Sequence, residues 1–111
     1  MNLTPTDKIY VVCTLTYTCL EIGGSDKMLH YIKKLRDEND MNYEVIDKCL
    51  ELHLSHRGIG LFPEIRKMSY DKRRQLGLWL NEMINSDSTF QLDPMHEILI
   101  QLKFQSCDIP E

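Results

Sequence analysis

Cys49, His53 and His56 stand four and three residues apart, a spacing that sets three side chains on one side of an α-helix, and sulfur with imidazole is a donor set for zinc. Structural zinc sites draw two ligands from each of two places, and Cys13, Cys19, Cys107, His30 and His96 supply no second pair at such spacing. The same face therefore reads as core, with Cys49 packing as a small hydrophobe. Asp93 reads as the cap of a helix with Glu97 in its first turn, and Asp87 as a residue in solvent. No G-x-S-x-G, phosphate-cradling loop or H-E-x-x-H occurs: Gly58-Ile59-Gly60 lacks the lysine of a P-loop, and Ile100 stands where a zinc protease would carry its second histidine after His96-Glu97. The expectation is a non-enzymatic chain.

Charge is more informative by position than by total. The 111 residues carry 13 bases and 17 acids, for a net charge of −4. Residues 57–74 hold Arg57, Arg66, Lys67, Lys72, Arg73 and Arg74 against Glu64 and Asp71, whereas residues 82–111 hold six acids against Lys103. Segregated charge of this kind steers protein association. Between the charges lies an apolar connector, Ile59-Gly60-Leu61-Phe62-Pro63, that could plug the end of the fold or meet a partner. The candidate partner-binding set is thus Arg66, Lys67, Lys72, Arg73 and Arg74 with Ile59, Leu61 and Phe62, and its expected partner is another protein or a second copy of this chain. The acidic total and the lack of a helix-turn-helix or aromatic RNA motif argue against nucleic acid. The longest uncharged stretch, residues 9–20, is too short to cross a bilayer and includes three threonines. Asp7 and Glu21 around it oppose a secretory signal, and cysteines without a C-x-x-C pair read as reduced thiols of a cytoplasmic protein.

The elements that must position these residues read as helices, and the length suits a single domain over residues 1–111. Thr4-Pro5-Thr6-Asp7 is a helix start, with a hydroxyl N-cap, proline at the first position and an acid at the third. The helix should run to about Glu21, although Val11 to Cys19 alternates β-branched residues in a pattern that equally suits a strand. Gly23-Gly24 ends it, and Ser25 or Asp26 caps a second helix with Met28, Leu29, Ile32 and Leu35 on one face. Asn42 caps a third, whose stripe is Val45, Ile46, Cys49, Leu50 and Leu54. Ser69 starts a fourth, with Leu76, Trp79, Leu80, Met83 and Ile84 toward the core, and Asp93-Pro94 starts a fifth that reaches Leu102. The sum is an all-α bundle of about five helices, built as two hairpins around residues 6–21.

The second hairpin, with Ser69, Arg73, Leu76, Leu80 and Ile84 leading into Ser86-Asp87-Ser88 and then Phe90, Asp93-Pro94, Glu97, Leu99, Leu102 and Ile109, resembles the closing half of TerB-like tellurite-resistance domains. Glu21-Ile22-Gly23-Gly24 before Met28 to Leu35 is similar to the opening half. The resemblance implies a small helical domain without established catalysis, associated with stress responses, whose acidic residues bind divalent cations. Asp87 matches the acidic turn position and Glu97 the acid of the helix that follows, while Ser86 and Ser88 stand where the family has alanine and glycine. The resemblance thus implies no cofactor beyond a divalent cation at Asp87 and Glu97, held weakly because calcium wants six to eight oxygen ligands. Two function classes follow. One is a protein-interaction domain, or an inhibitor or immunity-type protein that blocks a single target; the other is a weak divalent-metal binder.

Overall fold

A computed structural model describes the backbone of residues 3–55 and 61–97, and the side chains of all of these except 53–55 and 61–63. Five helices succeed one another: α1 (Pro5–Glu21), α2 (Asp26–Glu38), α3 (Glu44–Ser55), α4 (Leu61–Arg66) and α5 (Tyr70–Asn85). A single helical turn follows at 94–97, and the described residues contain no strand, so the fold is all-α.

The conflict over residues 11–19 is resolved as helix, and the cap and the core supply the reason. Thr4 Oγ1 accepts from the Asp7 amide at 3.1 Å while Asp7 Oδ2 accepts from the Thr4 amide at 2.9 Å, a reciprocal box that satisfies two of the free donors at the start of α1. Val11, Val12, Cys13, Leu15 and Cys19 are buried, and α1 packs against each of the other four helices. A helix enclosed on most sides is apolar on most sides, which removes the 3.6-residue periodicity that marks a surface helix. Tertiary burial outweighs the β preference of the side chains.

Gly23 ends α1 at a φ of +69°, in the left-handed region, and Gly24 donates to the Cys19 carbonyl at 2.7 Å. A Cβ on Gly24 would lie 2.5 Å from Cys19 Sγ, so the turn holds the two helices too close for any side chain there. On α2, Met28, Ile32 and Leu35 are buried, but Leu29 of the expected face is exposed. The corner into α3 is fastened by Arg36, which donates to the Met41 carbonyl and to Asp47 at 2.8 Å, and Tyr43 donates to Asp40 at 2.6 Å.

Helix α3 begins two residues past Asn42. That side chain donates to Asp37, and the Tyr43 carbonyl accepts the first helical amide, from Ile46. The buried stripe shifts accordingly: Ile46 is buried, Cys49 and Leu50 are half-buried, and Val45 is exposed. The larger correction concerns the connector, because residues 61–66 form α4 instead of a loop. Pro63 is compatible with this helix since it falls in the first turn, where amides have no internal acceptor. Ile65 and Met68 anchor the segment in the core. Ser69 caps α5 as expected, accepting from the Lys72 amide, and Leu76, Leu80 and Met83 are buried. Trp79 and Ile84 are only half-buried against the outside of the core. Asp93 caps the turn at 94–97, with its carboxylate accepting from the Met95 amide at 2.8 Å. The continuation expected to Leu102 lies outside the described residues.

Candidate functional site

The α4–α5 corner collects the basic residues, and local hydrogen bonding divides them into two groups. Arg73, one turn into α5, donates from one guanidinium nitrogen to the carbonyls of Arg66 at 3.0 Å and Met68 at 2.8 Å. The first carbonyl ends α4 and the second lies in the turn into α5, so Arg73 ties the two helices at their corner. Lys72 reaches back to α1, where its ammonium donates to Asp7 Oδ2 at 2.6 Å. The side chains of this pair are 23% and 13% exposed, which removes much of the screening that weakens a surface pair. Burial alone would push the Asp7 carboxyl up, but Lys72 and the Thr4 amide and hydroxyl together hold it below its usual value.

The remaining cations face solvent. Lys67 pairs across one turn with Glu64 at 2.9 Å, a hydrogen bond that raises the ammonium above its usual value, and its side chain stays 71% exposed. Arg66 and Arg74 are exposed, and Tyr70 between them is 55% exposed. Among the proposed partner-binding residues, Arg66, Lys67 and Arg74 are thus exposed, while Lys72 and Arg73 hold elements together. Ile59 lies outside the described residues, as do the side chains of Leu61 and Phe62, which sit at the start of α4.

Asp87 follows α5 and is buried, contrary to the expectation that it sits in solvent. Its Oδ1 accepts from the Thr89 hydroxyl at 2.7 Å and the Thr89 amide at 3.0 Å. These bonds to Thr89, with the nearby Ser25 hydroxyl at the start of α2 and the more distant charge of Lys27, depress the carboxyl to about 2. Asp87 therefore closes its own turn and lies against the first turn of α2, where a helix favours negative charge. Glu97 is exposed on the far side of a cleft of about 730 Å³, which both acids border together with Gly77, Leu80, Ile84 and Phe90. The cleft brings the two proposed metal ligands to one place, but no trio of His, Cys, Asp or Glu among the described residues is arranged to hold a metal ion.

Cys49 is half-buried and lies near Cys13 of α1. Burial, with Cys49 adding to it, pushes the Cys13 thiol up to about 12, and burial also raises Cys19, so these two are inert packing groups. The His53 and His56 side chains lie outside the described residues. Sequence reasoning missed the links between distant elements: Lys72 to Asp7, and Tyr31 of α2 donating to Glu82 of α5 at 2.6 Å. Capping chemistry had marked Asp7, but nothing local marks its second partner.

No helix among the described residues is long and apolar enough to cross a membrane. No known protein family, curated protein or solved structure matches the chain.

Proposed function

We propose that this chain is a non-catalytic protein-interaction domain of the TerB-like kind, acting in the cytoplasm and recognising an acidic protein surface through the α4–α5 corner. The observation that supports this reading is the sorting of the basic residues: Arg73 and Lys72 tie the corner together, while Arg66, Lys67 and Arg74 stand exposed, as does Tyr70. Exposed arginine and tyrosine are the composition that protein interfaces favour. Reversing two exposed charges, Arg66→Glu with Lys67→Glu, should leave the helical circular dichroism unchanged and weaken capture of the native partner from cell extract at least tenfold. The loss should be largest at low salt, where steering is strongest. Equal capture by the reversed protein would reject the corner as the recognition surface.

A second reading, a weak divalent-cation site, has its own supporting observation in the shared cleft of Asp87 and Glu97. Calorimetric titration with millimolar calcium tests it, and heat that disappears in Glu97→Gln is the result expected of such a site.

A further inference from the structure

We propose that the cleft between α5 and residues 87–97 is a binding site for a small organic amine, an ammonium group carried on an apolar body. The cleft holds about 730 Å³, within the range of sites that take one small molecule. Leu80, Ile84, Phe90 and Leu92 line it with carbon, and Leu80 is buried. A hard metal ion is held by oxygen and gains nothing from such walls, whereas an apolar body gains by leaving water against them.

Charge decides the polar end of the ligand. Asp87 and Glu97 border the cleft, and among the described residues no lysine, arginine or histidine does. Asp87 is buried, bonded to Thr89 and held down to about 2, so it keeps its negative charge at neutral pH. Neither acid forms an ion pair among the described residues. Asn81 and Asn85 on α5 and Gln91 opposite them are exposed, and their side-chain amides make no hydrogen bond to another described residue. The amide oxygens and the Glu97 carboxylate can accept the three N–H donors of an ammonium, while an anionic ligand would meet two like charges.

Gly77 supplies the space. A glycine inside a helix is less favourable than alanine, and nothing else in the described fold calls for one here. It lies in the α5 wall of the cleft, where a Cβ would meet no atom within 4 Å, in contrast to Gly24. The bare backbone lets a ligand lie close against the helix, a use to which glycine is suited.

The site lies past the basic corner along α5, so the two can fail separately. Isothermal titration calorimetry of the full chain with tryptamine, 2-phenylethylamine and isopentylamine, each beside the carboxylate of like body (indole-3-propionate, 3-phenylpropionate and 4-methylpentanoate), tests the class. One or more of the amines should bind with a Kd below about 1 mM, at least tenfold more tightly than its carboxylate counterpart. Glu97→Gln changes an exposed side chain and should weaken the amine about threefold. Gly77→Leu fills the space and should abolish amine binding while leaving the melting temperature the same or higher, because leucine favours a helix in open space. A lower melting temperature for Gly77→Leu would mean that part of the same chain fills the space, and it overturns the proposal. So does the absence of binding by all of the amines at about 10 mM, equal binding by the carboxylates, or amine binding indifferent to Gly77→Leu or to Glu97→Gln. Calcium heat that persists in Gly77→Leu, with no amine bound by the unsubstituted chain, overturns the proposal and leaves the divalent-cation reading intact.

Discussion

Thr14 shows how a single residue can be misread from pattern alone. Its place in the alternating Val–Thr run suggested a strand, yet it is buried in α1 with a hydroxyl that finds no hydrogen-bond partner. A buried hydroxyl without a partner loses its hydration for no return, while valine has the same shape and branching. Thr14→Val should therefore raise stability by up to about 1 kcal/mol, read as an increase of a few degrees in the melting temperature. A decrease would mean that the hydroxyl is bonded. Trp79 errs in the opposite direction. Amphipathic spacing placed it in the core, but it is half-buried, so its truncation to alanine should cost about 2 kcal/mol, below the range of about 3–5 kcal/mol for a fully buried tryptophan. Chemical denaturation checks this, and a loss near 5 kcal/mol would restore Trp79 to the core.

At the scale of the element, the starts of α1 and α5 were legible because caps are local chemistry: a hydroxyl, a backbone amide and at most three residues between them. Helix α4 was not, since its six residues include a proline and no N-cap signal, and burial of Ile65 at its end is a tertiary fact. The same distinction separates two neighbours in the basic run. Arg73 and Arg74 look interchangeable in sequence, but only Arg73 bonds the carbonyls of Arg66 and Met68 at the α4–α5 corner. Arg73→Glu removes both donors and sets a carboxylate against two carbonyl oxygens, so it should destabilise the chain by about 2 kcal/mol. Arg74→Glu should change stability by less than about 0.5 kcal/mol. Parallel thermal melts decide the point: equal shifts would show that the α4–α5 corner does not depend on Arg73.

Across the whole molecule, two carboxylates tie the hairpins to each other. Asp7 joins the start of α1 to the start of α5 through Lys72, 65 residues away, and Asp87 brings the end of α5 against the start of α2. Neither tie could be read in advance, because a sequence shows that an acid caps a turn but not which distant element folds onto it. Both carboxyls sit below their usual value in the folded chain, Asp87 at about 2. Over the interval between folded and unfolded values, the unfolded chain binds more protons, so falling pH favours unfolding. The stability these groups contribute is fully present above about pH 4 and is lost as pH falls toward about 2. Urea midpoints measured from pH 6 to pH 2 should decline most steeply below pH 4. Asp7→Asn and Asp87→Asn should each lower the midpoint at pH 6 and flatten that decline, since the substituted group no longer titrates. If the double variant keeps the full slope, other carboxylates govern acid unfolding, and the two contacts are consequences of the packed hairpins, not what holds them together.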